Sequence, residues 1–226
     1  VSEVDLLGLG FDRYQRFQAA AELIQGLAGG RRLSVLDVGG FDNAFAAFLP
    51  GHDFAPWSGE VRQASGGLDL PDSSRDVVCA LDVLEHVAPG ERRYFIAELA
   101  RVADMALVLC FPVKAAEAAE SFVLELTGSA WLAEHRLHGL PEPAEVEAIL
   151  VELGLTFTRY PNASLPSWTA MMLLMYGVGE QELRRRISAF FNRSFAAGEN
   201  REPAYRYIYV CRRAPDPGRR PTRREP

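Results

Sequence analysis

The sequence predicts an α/β fold, a mostly parallel sheet with helices on both faces. Three observations carry that reading. Residues 33–38, 76–81 (DVVCAL) and 105–111 (MALVLCF) are short runs, apolar over most of their length, as strands buried on both faces must be. Segments with helical spacing separate them, the order of strand–helix–strand crossovers. A chain of 226 residues, 48% of them hydrophobic, is long enough to close one such domain around a full core.

Along the chain, Tyr14, Phe17, Ala21, Ile24 and Leu27 recur at helical spacing over residues 12–28, and Gly29-Gly30 stop that helix. The strand at 33–38 follows. Phe45, Ala46, Phe48 and Leu49 predict a helix that Pro50 ends. Residues 51–68 carry little signal beyond a weak strand at 52–55. The turn Pro71-Asp72-Ser73-Ser74 leads into strand 76–81. Helix 89–103 presents Tyr94, Ile96, Leu99 and Val102, and Pro112 closes strand 105–111. Helices at 114–127 and 142–153 come next, then a strand at 155–160. Trp168, Met171, Met172 and Met175 open a segment that suits a core and also an adaptable apolar lid. It continues into an amphipathic helix with Leu183, Ile187, Phe190 and Phe191 on one side. The last strand, 205–211 (YRYIYVC), alternates Tyr205, Tyr207 and Tyr209 with Arg206, Ile208 and Val210. No internal repeat is visible.

Composition narrows the class. No apolar run approaches the length that spans a bilayer, and the first residues lack the basic-then-apolar order of a signal peptide, so a cytoplasmic protein with no membrane partner is expected. Cys79, Cys110 and Cys211 lack metal-binding spacing and sit in apolar runs. They read as small buried hydrophobes, with neither a disulfide framework nor a metal site expected. The formal charge of −6 conceals a split: the tail from Arg212 carries +4, leaving −10 on the rest. An acidic body without basic-aromatic interleaving argues against a nucleic-acid partner. The Pro- and Arg-rich tail, 212–226, reads as disordered.

Two strand ends carry the chemistry. Ligands of open parallel sheets bind beyond the carboxyl ends of the strands, where strand order reverses. One strand ends at Asp37-Val38-Gly39-Gly40, the other at Leu81-Asp82 leading into DVLEHV. Gly39 and Gly40 permit close backbone approach near a helix start. Asp37 repels a phosphate, which favours a cationic ligand. The dinucleotide fingerprint GxGxxG is absent after the first strand. His86 and His135 have the right ionisation range to take a proton from an acceptor hydroxyl, as does His138. Ordinary helix-end and loop histidines are the competing readings, and Glu85 reads as structural.

Together VLDVGG (35–40), LDLPDSSRDVVCALDVLEHV (68–87) and ELARVADMALVLCFP (98–112) resemble the class I S-adenosylmethionine-dependent methyltransferases. They are closest to the small-molecule branch whose fourth strand runs into LEHV. EHRLHGLP (134–141) and VEAILVELG (146–154) are similar to that branch too, so the resemblance covers about 12–160. It implies a Rossmann-like, doubly wound sheet of about seven strands, mostly parallel with a final antiparallel strand at YRYIYVC. Helical cap insertions at about 113–140 and 164–197 complete a single domain over 1–211. It implies S-adenosyl-L-methionine as cofactor, its methionine end at Asp37, Gly39 and Gly40, with Leu81 and Asp82 alongside. An acid at the end of the second strand normally holds the ribose, and one before the LP turn meets the adenine. Here Trp57 stands near the first position, available for stacking, and Asp69 with Leu70 near the second. His86 and His135 become the candidate catalytic residues.

The chain departs from the family pattern at Phe41 and Asn43, where glycines are usual, and at Ala55-Pro56-Trp57, where no acid appears; Glu60 is the nearest. Two functions therefore stay open: methyl transfer to an oxygen, less often a nitrogen, of a small metabolite, and a methyltransferase-like domain that binds a ligand or partner without catalysis. An exposed edge near YRYIYVC and the aromatic helix 183–195 suit a homodimer.

Overall fold

The computed structural model describes residues 5–40, 42–57 and 67–214. Helix α1 (Phe11–Ala28) stops where Gly29 turns left-handed, as a glycine after a helix commonly does. Strands β1 (Ser34–Val38), β2 (Asp53–Trp57), β3 (Arg75–Leu81) and β4 (Ala103–Pro112) follow, with helix α2 (Pro89–Val102) between the last two. Helices α3 (Glu117–Thr127), α4 (Ala130–His135) and α5 (Pro143–Glu152) lead to β5 (Leu155–Ser164). Helices α6 (Leu165–Gly177) and α7 (Gln181–Ser194) precede the last strand, β6 (Ala204–Arg213).

The strands form one sheet in the order β2-β1-β3-β4-β6-β5. All pairs are parallel except those of β6, which runs antiparallel to both β4 and β5. The chain moves outward from β1 to β2, then returns to place β3 on the other side of β1. That reversal opens a crevice beyond the ends of β1 and β3.

Alternation along the strands sorts the core into two faces. Val78, Ala80, Leu107, Leu109 and Tyr209 pack with Ile96 and Leu99 of α2 and with Val146 and Leu150 of α5. Their neighbours Val77, Cys79, Val108, Cys110 and Ile208 pack on the opposite face with Phe17, Ala21 and Ile24 of α1. A third apolar cluster lies outside the sheet: Val123, Leu132, Trp168, Met172 and Phe191 from the cap helices gather around Tyr205. The three cysteines are buried free thiols.

Three expectations change. The helix predicted after the glycines is a single 3-10 turn, Ala44–Phe48, entered through left-handed Asn43; burying Phe45 and Phe48 against Phe17 needs no more than one turn. Six strands are present among the described residues rather than about seven, and residues 58–66 lie outside them. YRYIYVC itself is covered on both sides by β4 and β5, and the sheet edge near it is β5. Strand pairing also continues through Arg212 and Arg213, opposite Thr156 and Leu155. These two arginines therefore belong to the sheet and not to the tail, whose remainder from 215 lies outside the described residues. No helix among the described residues is long and apolar enough to cross a membrane.

The indole of Trp168 stacks on Tyr205 at 3.8 Å between ring centroids, and its Nε1 donates to Asp12 at 2.9 Å. It is the side chain that fastens the cap to the sheet. Trp168→Ala should cost about 3–5 kcal/mol in urea unfolding. A loss below about 1 kcal/mol would mean that the cap is not seated on β6 as described.

Candidate functional site

Two glycines shape the end of β1. Gly39 has a φ of 91°, and a Cβ there would stand 2.6 Å from Val83 Cγ2. Gly40 lies so close over the Asp37 carboxylate that a Cβ would collide with Oδ2. Neighbouring side chains therefore demand both glycines, and the backbone stays bare toward the crevice. Among the described residues no ion pair reaches Asp37, which is nearly buried and accepts only a long contact from Cys79 Sγ at 3.7 Å. Burial raises its pKa to about 6; Cys79 and Arg16 offset part of that rise, and Asp42 adds to it.

Asp82, just after β3, is in the left-handed region with a φ of 54°. A non-glycine residue persists there only when its surroundings hold it. Its N–H donates to the Cys110 carbonyl at 2.8 Å, and its carboxylate meets Arg16 of α1 and, at 3.2 Å, Arg206 of β6. Asp12, one helical turn before Arg16, also pairs with Arg206. Two aspartates and two arginines thus balance to zero in a site where Arg206 is fully buried. Burial alone would raise the Asp12 pKa, but Arg206 and Arg16 together outweigh it and hold the carboxyl below its usual range.

A second polar group adjoins the first. Glu85, His86 and His135 bring ligand-type atoms within 4.8 Å of one another. Glu85 is fully buried, and its pKa rises to about 8, mainly through burial and then through Asp82. His135 Nδ1 bonds Glu120 at 2.9 Å, and the Tyr205 hydroxyl donates to the same carboxylate oxygen at 2.6 Å. Desolvation opposes charge on His135, yet Glu120 and Glu85 win, and its pKa is raised.

A cleft of about 930 Å³ joins these parts, within the usual size of small-molecule sites. Of the residues singled out in the sequence, Asp37, Gly39, Gly40, Leu81, Asp82 and His86 line it. Arg13, Trp131, Met172 and Tyr176 form the wall toward the cap. The other predicted residues lie elsewhere. Trp57 packs against the sheet core, and its carbonyl accepts from Gly39 N–H at 2.9 Å. Leu70 packs on the same core, Asp69 is exposed, and neither lines this cleft. His135 is no loop residue: it ends α4, buried behind His86 with ring centroids 5.2 Å apart. Asp12, Arg16, Arg206 and Glu120 escaped the sequence reading. Their faint signals were an i,i+4 acid–arginine pair on α1 and an arginine inside a tyrosine-rich strand.

The sequence matches no protein-family model and no curated relative. Among solved structures, the plantazolicin methyltransferase in complex with SAH aligns at 10% identity and a TM-score of 0.54, over 91% of this chain and 85% of that one. A putative sarcosine dimethylglycine methyltransferase from Galdieria sulphuraria aligns at 13% identity and TM-score 0.51, covering 89% and 86%. Magnesium protoporphyrin IX methyltransferase from Synechocystis, with bound SAH, aligns at 16% and 0.50, covering 90% and 86%. The chain has the methyltransferase fold.

Two stability measurements check the site's electrostatics. Asp82→Asn leaves Arg16 and Arg206 undercompensated and should cost about 3–5 kcal/mol. Adding Arg16→Met should recover part of that loss, and simple additivity in the double-mutant cycle would contradict the pairing. Asp37, with its raised pKa, acts in the opposite sense. Its ionisation has no cost below the unfolded pKa near 3.8, and the cost grows until pH passes about 6. Asp37→Asn should therefore be the more stable protein above pH 6, by up to about 3 kcal/mol at about 1.4 kcal/mol per unit. The advantage should vanish below pH 4, and a pH-independent difference would contradict the assignment.

Proposed function

We propose that the chain binds S-adenosyl-L-methionine in the cleft and transfers its methyl group to an oxygen of a small metabolite. The observation that carries this reading is the Asp37 carboxylate, unpaired by any cation among the described residues, beside two obligatory glycines at the switch point of a methyltransferase fold. An ammonium placed there relieves the buried charge, whereas Arg13 and Arg16 of the facing helix are already paired with Asp42 and Asp82 of the same cleft. The positive amine at the amino-acid end of the cofactor fits the Asp37 carboxylate. Two of the similar folds hold SAH, the product that this cofactor leaves after giving up its methyl group.

The acceptor lies toward the cap, between Trp131, Met172 and Tyr176, whose apolar surfaces suit a flat or largely apolar molecule. When bound, the cofactor would supply a methyl group from its sulfonium: the acceptor oxygen would gain that methyl, and the electron pair of the broken carbon–sulfur bond would stay on sulfur in S-adenosylhomocysteine. Positioning supplies most of the catalysis in such a displacement. His86, on the cleft wall, takes the hydroxyl proton. His135 lies behind His86 and acts through it, a positioning residue and not a catalytic one.

One observation favours the second reading, a binding domain without turnover. The end of β2 offers Trp57 and no carboxylate, so the described residues supply no charged partner for ribose hydroxyls. Calorimetric titration with S-adenosylmethionine and S-adenosylhomocysteine tests both readings. Saturable binding by the wild type is expected, weakened about tenfold or more in Asp37→Ala, the loss of one charge-assisted contact of about 1.5–3 kcal/mol. Absence of binding at millimolar cofactor by folded protein would sink the enzyme. Binding followed by no methyl release toward any hydroxylated acceptor would leave the binding domain.

A further inference from the structure

We propose that Glu85, His86 and His135 form a binding site for one divalent first-row transition ion, Zn2+ foremost, at the inner wall of the cleft. Four features of the cluster point to a cation. Two imidazoles and one carboxylate bring their ligand atoms within 4.8 Å of one another. Both Glu85 oxygens and His135 Nε2 are buried with no hydrogen-bond partner. Polar atoms in that condition are costly unless something occupies the space between them. His135 Nε2 and Glu85 Oε1 stand 4.0 Å apart, too far for a hydrogen bond. Two atoms bound about 2.0–2.2 Å from a tetrahedral ion stand roughly 3.4 Å apart, so a small side-chain adjustment closes the set.

The outer support is the fourth feature. His135 directs Nδ1 to Glu120, and the Tyr205 hydroxyl donates to the same carboxylate oxygen. A ligating histidine almost always presents its second nitrogen to a carboxylate or carbonyl, which fixes the ring and the tautomer. Here the fixed tautomer leaves Nε2, the nitrogen aimed at Glu85, as the free lone pair. Nitrogen donors disfavour Mg2+ and Ca2+, which prefer oxygen shells. Three protein ligands leave a fourth position open, as in catalytic zinc sites. Glu85 and His135 are enclosed, whereas His86 lines the cleft, so the open position faces the acceptor. Arg16, whose charge reaches Glu85, is already matched by Asp82. With the ion bound, His86 is a ligand, and the ion rather than a free imidazole acidifies the acceptor hydroxyl. The site thus refines the base assigned above and does not depend on the cofactor being S-adenosylmethionine.

The test uses the full chain, freed of metal with a chelator and titrated with ZnCl2 alone by calorimetry, then with CoCl2 by visible absorption. One ion per chain is expected, with cobalt bands of a low-coordinate nitrogen and oxygen site. Glu120→Gln should weaken Zn2+ binding on the order of 10- to 100-fold, as loss of an outer carboxylate does. Glu85→Gln and His86→Gln should weaken it further still. Circular dichroism establishes that each variant is folded; if Glu85→Gln is not, His86→Gln, half-buried at the wall, decides. Wild-type protein that stays folded and takes up no Zn2+, or folded variants that bind as the wild type does, would overturn the site. Cofactor titration is scored separately, so failure of the methyltransferase reading leaves this result unaffected.

Discussion

The site depends on one interaction, the balanced cluster of Asp12, Arg16, Asp82 and Arg206. It joins the first helix to the end of β3 and to the antiparallel strand, and through Trp168 it reaches α6 of the cap. A buried guanidinium is tolerated only with its partners in place, so the four side chains fix one another's positions. Asp82 is held in a strained backbone conformation as a result, and the wall of the cleft is set before any ligand arrives. Asp82 has its charge satisfied within the protein; Asp37, one strand away, does not. That contrast between two aspartates at adjacent strand ends gives the cleft its polarity.

The cap owes its position to the same cluster. Trp168 stacks on Tyr205, the neighbour of Arg206, and Tyr205 in turn braces Glu120 behind His135. A single stretch of β6 therefore serves the ion-pair cluster with Arg206 and the histidine cluster with Tyr205. Because successive strand residues point to opposite faces, the two groups occupy opposite faces of the sheet's end yet border one cleft.

Much of this was legible in the sequence. The apolar runs of β3 and β4 and the helix between them follow from hydrophobic period alone, and Asp37, Gly39, Gly40, Leu81, Asp82 and His86 gather as their strand-end positions required. The charged cluster was not legible, because Asp12 and Arg16 look like an ordinary solvated helix pair and Arg206 looks like the polar half of an alternating strand. Only tertiary packing reveals that all three are covered. YRYIYVC is covered throughout: Tyr209 packs in the core on the α2 side, Ile208 in the core on the α1 side, and Tyr205 beneath the cap. His135 was misplaced for a similar reason, since a segment rich in polar residues reads as loop until Leu132 and Trp131 are seen packing it inward. Trp57, Asp69 and Leu70 carried roles implied by resemblance, and the described cleft does not include them.

The claim that the cleft beyond β1 and β3 takes a cationic amino-acid ligand is tested most directly by a crystal structure grown with S-adenosylhomocysteine. Density for the ligand should lie between Gly39 and Asp82, with its amine about 3 Å from the Asp37 carboxylate. Density confined to another surface, or an empty cleft at saturating ligand, would contradict it.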